Sequence, residues 1–194
     1  ISTIFGLLIA IAFVRFSDFG GRLFLSLFAS APLVMPEAVT GLSMLLLFIA
    51  MEASFGWPSG RGVDTIMIAH ATFGMCFAAV VIQTRLRNMD KTLEEAARDL
   101  GGRQPFVFLS ITFPLILPSV IAAWLLSFTL SFDDVVIASF VSGPGSSTLP
   151  IVIFSKIRLG VSPEINAIAT LMILAISVLV MIGGFMVLRR DSEK

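Results

Sequence analysis

The chain has 194 residues, of which 57% are hydrophobic and 13% charged, with 18 phenylalanines and no tyrosine. A soluble domain carries about 25% charged residues and buries only part of its surface, so this composition excludes an ordinary soluble globule and points to lipid as the solvent. Net charge is zero, which gives no basic footprint for nucleic acid, and the single Cys76 excludes a disulfide within the chain.

An all-α, polytopic membrane protein with five transmembrane helices is predicted. Backbone groups in lipid must be satisfied internally, and the alternating ten-residue strands of a barrel are not seen. The first apolar segment, residues 1–14, is shorter than the roughly 20 residues a span needs. It lacks the charged start and cleavage site of a signal peptide, so it reads as the end of a helix that begins upstream, in a protein longer at its N-terminus. Residues 15–22 (RFSDFGGR) form a turn-like loop. The second segment covers 23–51, with Glu37 near the middle of the span as its only interruption. Residues 52–62 are rich in Gly, Pro and Ser, with Trp57 suited to a membrane interface. The third segment, 63–84, contains His70 and Cys76. A long charged connection fills 85–114. The fourth segment, 115–141, carries Asp133 and Asp134 near its end. Residues 142–164 are long and mixed, and the fifth segment, 165–188, precedes a charged tail.

Consecutive loops alternate sides. Arg15, Arg22, Arg85, Arg87, Lys91, Arg98, Arg103, Arg189, Arg190 and Lys194 fall on one side, and Arg61, Lys156 and Arg158 on the other. The excess of cations makes the first side cytoplasmic. The charged connection then faces the cytoplasm, and residues 52–62 and 142–164 face outward.

Within that connection lies EEAARDLGG, residues 94–102. Thr92 and Glu95 have the spacing of a capping box. Residues 93–100 favour helix, and Gly101 or Gly102 can end it in a left-handed conformation. Residues 105–113 form a second short apolar segment, and Pro114 is expected to break the chain before the next span. A compact helix, a glycine elbow and an exposed apolar segment suit a docking surface. On physics alone, a solvated linker remains the alternative.

The chain offers little for catalysis. GPGSST, residues 143–148, has no P-loop lysine and reads as a turn. His70 and Cys76 are six residues apart on one apolar helix, and with no other His or Cys they build no metal site. His70 reads as a packed or interface residue. No cofactor and no enzymatic activity are expected. Carboxylates in membrane segments mark a pathway or a partner, which makes Glu37, near mid-span, and Asp133 and Asp134, near the outer surface, candidates for a cation path. For the aspartate pair the alternative is a helix cap or a bridge to Lys156 or Arg158. For Glu37 it is a buried hydrogen bond to a neighbouring helix.

Glu95, Ala96 and Ala97, then Gly101, Ile111 and Pro114, resemble the EAA motif of ABC importer permeases, with Phe113 where leucine is usual. The resemblance spans nearly all of residues 1–194, a single transmembrane permease domain like the five-helix core of a six-helix type I permease lacking its first helix. It implies a coupling loop at about 85–114 that docks on a cytoplasmic ATPase. Glu95, Ala96, Ala97, Gly101, Ile111 and Pro114 would be its coupling positions. Residues 31–43 (APLVMPEAVTGLS), 131–150 (SFDDVVIASFVSGPGSSTLP) and 162–171 (SPEINAIATL) look like the polyamine permeases of spermidine/putrescine importers. That likeness implies a bacterial inner-membrane complex. Its other members would be a second homologous permease, an ATPase dimer and a periplasmic polyamine-binding protein. The outward loop 142–164, with Lys156 and Arg158, is expected to contact that binding protein. The competing readings are a permease for another small solute and a secondary transporter or channel subunit, which has no need of an ATPase dock.

Overall fold

The computed structural model describes residues 1–16, 18–159 and 163–192, with side chains described except at 158–159, 164–165 and 185–192. All regular structure among the described residues is helical. In chain order it comprises α1 (Ser2–Arg15), α2 (Arg22–Val34), α3 (Glu37–Phe55), α4 (Val63–Arg87), α5 (Thr92–Asp99) and α6 (Gln104–Val107). A π turn (Phe108–Thr112) leads into α7 (Phe113–Phe132), followed by α8 (Val136–Val141), α9 (Leu149–Leu159) and α10 (Pro163–Ser192). Four stretches are long and apolar enough to cross a membrane: Glu37–Phe55, Val63–Arg87, Gln104–Phe132 and Asn166–Gly184. α1 and α2 are shorter apolar helices.

Several boundaries differ from the sequence expectation, each for a local reason. The second apolar segment is two helices. Pro36 has no N–H and pushes the residue before it out of the α region, and Met35 is extended at φ −78°, ψ 142°. Glu37 is therefore the first residue of α3 and exposed, not the middle of a continuous span. The break expected at Pro114 does not occur. The π turn precedes it, with the Phe113 N–H donating to the Phe108 carbonyl. A widened turn accommodates a missing backbone donor without ending the helix, so α6, the π turn and α7 run as one stretch. The fourth segment stops at Phe132 and restarts as α8. Residues 142–164 contain α9, whose apolar LPIVIF start carries Pro150 in the first turn, where its missing N–H costs nothing.

α4 is the central element. Gly6 of α1 lies directly on it: a Cβ there would sit 2.6 Å from the Ala78 Cβ and 3.0 Å from the Met75 carbonyl. Such small-residue contacts let membrane helices approach closely. Ala10, Ala78, Ile82, Leu86, Ile116 and Ala123 form one buried cluster joining α1, α4 and α7. Phe48, Ala69, Phe73, Ile137 and Val141 form a second, joining α3, α4 and α8. Outside these, large apolar side chains stand open, including Leu23, Phe24 and Phe28 on α2 and Leu171, Ile173 and Met181 on α10. Surfaces of that kind face lipid or another transmembrane chain.

Polar contacts gather the loops into two groups. Arg15 pairs with Glu94, which brings the α1–α2 and α4–α7 connections together. Arg61 donates to the Phe140 carbonyl at 3.4 Å, and Thr65 donates to the Val141 carbonyl at 2.7 Å. These bonds place the α3–α4 connection against the end of α8.

Candidate functional site

The first region of interest is α5 and the elbow after it. The expected capping box is absent: Thr92 lies inside the helix, and no side chain caps it from the N-cap position. Instead the Asp90 carboxylate accepts the Thr92 N–H at 2.9 Å, an Asx turn two residues long. This bond, with one from the Thr92 hydroxyl, holds the Asp90 carboxyl below its usual range. Of the two candidate elbow glycines, Gly101 takes the left-handed conformation, at φ +84°. Gly102 meets a different constraint, since a Cβ there would lie 2.7 Å from the Ala97 carbonyl. Gly101 donates to the Arg98 carbonyl at 2.8 Å and Gly102 to that of Ala97 at 3.0 Å.

The motif residues are mostly open. Glu95, Ala96 and Pro114 are exposed, and Ala97 and Ile111 are half-buried. Leu93, Leu100, Phe106 and Leu109 add exposed apolar surface, with Leu100 90% exposed. Glu94 behaves in the opposite way and is only 4% exposed. The Arg15 guanidinium donates to both of its carboxylate oxygens, Nη1 reaching Oε2 at 2.5 Å. The Thr112 hydroxyl donates to Oε1 at 2.5 Å. Burial pushes the Glu94 carboxyl up, but the bonds from Arg15 and Thr112 and the charges of Arg15 and Arg98 outweigh it, and the group is held below its usual range. A cavity of about 580 Å³ opens alongside, with Arg15, Lys91, Glu94, Glu95 and Arg98 in its lining. Sequence reasoning missed Glu94. Its only signals were the doubled glutamate, which a helix must present to two different directions, and Arg15 at the end of an apolar run.

The second region surrounds the break between α7 and α8. Asp134 Oδ1 accepts the Ile137 N–H at 3.1 Å, and its Oδ2 accepts the Ala138 N–H at 2.7 Å. Oδ2 also lies 3.0 Å from His70 Nε2, while His70 Nδ1 is 2.8 Å from the Ser131 hydroxyl. A carboxylate only accepts, so Nε2 donates to Asp134; in the neutral ring Nδ1 then accepts from Ser131. Asp134 thus caps α8 and binds α4. His70 is seven residues into α4, roughly 10 Å along the helix axis. Asp133 and Glu37 are exposed and have no side-chain partner among the described residues. Lys156 is exposed on α9, and the Arg158 side chain lies outside the described residues, as do Arg189, Arg190 and Lys194. In GPGSST, Ser146 and Gly143 bond each other at 2.9 Å and Gly145 has φ +77°, the geometry of a turn.

A helical chain with several apolar spans and an EAA-like elbow is the architecture of a membrane permease. Residues 2–191 match the binding-protein-dependent transport system inner membrane component family, and the chain belongs to it. It is a transport permease subunit of the inner membrane rather than an enzyme. Over 193 residues, all of this chain and 69% of the relative, it is 49% identical to the putrescine transport system permease protein PotI of Escherichia coli K12. It is 39% identical to the spermidine/putrescine transport system permease protein PotC of the same strain, again over all of this chain and 70% of the relative. The PotC of Haemophilus influenzae is 41% identical over 94% of this chain and 68% of its own length.

Proposed function

We propose that the chain is one permease of an ATP-driven importer of polyamines, with putrescine and spermidine as the substrate class. Its likeness to permeases named for those solutes is the observation that carries the substrate. In this reading residues 1–194 form a single transmembrane domain. The segment 85–114 is a cytoplasmic coupling loop that sits in a cleft of a partner ATPase. The open face of Glu95 and Ala96 and the Gly101 elbow support that role. Ala97, Ile111 and Pro114 shape the same surface. Energy comes from an ATPase dimer, a second homologous permease completes the pathway, and a periplasmic polyamine-binding protein delivers substrate to the 142–164 loop.

The cation path is assigned to Glu37, Asp133 and Asp134. Glu37 and Asp133 are the open carboxylates among these three, and a carboxylate within a membrane protein is tolerated where it meets water, substrate or a partner. Asp134 serves that path indirectly, by fixing α8 next to Asp133. The test is uptake of labelled putrescine and spermidine by the reconstituted complex, with and without ATP. Saturable, ATP-dependent uptake that is competed by polyamines and not by amino acids or sugars is the expected result. Uptake without ATP would favour a secondary transporter, and competition by another solute would move the substrate class.

A further inference from the structure

α5 has eight residues, and Glu94 alone among them is buried. A helix of two turns has no stability of its own in water, so its position is decided by what holds it. Here the hold is ionic. The Glu94 carboxylate accepts from both terminal nitrogens, Nη1 and Nη2, of Arg15, the last residue of α1, and from the hydroxyl of Thr112, the last residue of the π turn. α1 is pressed onto α4 at Gly6 and shares a buried cluster with α4 and α7. α7 begins one residue after Thr112. A single carboxylate therefore joins the short helix to two transmembrane elements.

The chemistry of the joint matters. An apolar contact is non-directional. A forked guanidinium–carboxylate pair fixes two parallel bonds in one plane and resists both rotation and translation. Removing Arg15 would leave the Glu94 carboxylate buried and unpaired, whereas removing Glu94 leaves an arginine that is 25% exposed and still reaches water. The π turn that carries Thr112 is a rare widened turn inside a longer helix, and such turns gather at functional sites.

We propose that Glu94 is a positioning residue that ties displacement of the docking helix to α1 and α7, so that without it the permease docks but does not couple. This rests on the reading of α5 as the ATPase dock. Neutralising Glu94 loosens α5 relative to the spans while leaving the Glu95–Ala96 face intact. Arg15→Lys keeps the charge and loses the fork, and Thr112→Val loses only the π-turn arm.

The experiment uses the complete importer in proteoliposomes with Glu94→Gln, Arg15→Lys and Thr112→Val, reading co-purified ATPase, ATP hydrolysis and solute moved per ATP. Glu94→Gln is expected to retain the ATPase and its hydrolysis while solute per ATP falls about tenfold, within the usual range of coupling between sites. Arg15→Lys and Thr112→Val should fall between Glu94→Gln and the unmodified complex. A Glu94→Gln complex with unchanged solute per ATP overturns the proposal. So does a loss in which assembly, hydrolysis and uptake decline together, because that marks a residue needed only for folding. A second measurement places spin labels at Asp99→Cys in α5 and Val80→Cys in α4, in a Cys76→Ser background. Glu94→Gln should broaden that distance distribution, and an unchanged distribution overturns the proposal independently of transport. Failure of the docking reading is distinguishable, since the unmodified chain would then retain no ATPase.

Discussion

The two groups of connections are held by different chemistry. Around Glu94 the contact is between charged side chains, and it fastens a short helix that contributes no other buried side chain. Around α8 the contacts run mainly to backbone groups: Thr65 to the Val141 carbonyl, Arg61 to the Phe140 carbonyl, and the Ile137 and Ala138 N–H groups to Asp134. α8 also buries Ile137, Ala138 and Val141 in the cluster it shares with α3 and α4 or beside it. Backbone bonds plus apolar burial fix an element in place. A side-chain clasp with little burial fixes the orientation of a short helix through directed bonds and leaves the rest of its surface open. The α5 region is tied through one buried carboxylate, and the α8 region through backbone bonds and apolar packing.

The largest expected effect comes from the elbow. Gly101 has φ +84° with open space around its Cβ position, so the constraint is conformational and not steric. Val there should cost roughly 2 kcal/mol or more, since β-branched residues are outliers at positive φ. Gly101→Val should lower uptake more than tenfold with normal membrane insertion. Gly101→Asn, which tolerates the left-handed region, should keep most activity. Equal activity in the two variants would show that the elbow does not set the geometry of α5.

Much of this arrangement was legible in the sequence. Long apolar runs give helices because lipid leaves the backbone no other partner, and the Gly101 elbow follows from a glycine after a short helix pattern. The α2–α3 break was not read, because Pro36 and Glu37 lay inside a run whose length suited one span. Pro114 misled in the other direction, since a π turn five residues long cannot be recognised from residue types alone. Glu94 was hidden by its neighbour. Glu95 carries the motif, while burial, which depends on Arg15 some 79 residues away, distinguishes the two glutamates.

At the start of α8, Asp134→Ala removes the two capping hydrogen bonds to Ile137 and Ala138 and the partner of His70. Loss of an N-cap costs about 1 kcal/mol, and the imidazole loses an acceptor that it cannot replace in a buried site. The detergent-solubilised complex should inactivate at a lower temperature, with uptake per intact complex reduced only a fewfold. Asp134→Asn keeps one acceptor and should lie between Asp134→Ala and the unmodified protein. If uptake collapses while thermal stability is unchanged, Asp134 contacts the substrate directly and its capping role is secondary.

The smallest effects belong to the open carboxylates. Glu37 begins α3 and Asp133 begins the break before α8, and both are exposed. An exposed carboxylate attracts a polycation through water, where salt screens the interaction over about 8 Å at physiological ionic strength. Glu37→Gln and Asp133→Asn should each reduce uptake by a fewfold at low salt, chiefly by weakening capture, and the difference should shrink as salt is added. The measurement is initial uptake rate at low and high ionic strength at fixed ATP. A loss that persists at high salt means that the carboxylate touches the substrate in a dehydrated part of the path, where screening fails. A variant pair with no loss at either salt would move the cation path to the second permease and leave this chain the walls and the dock. Glu37 is expected to show the larger and more salt-resistant loss of the two. It stands at a proline break between two apolar helices, where an ionised group persists only if water or substrate reaches it.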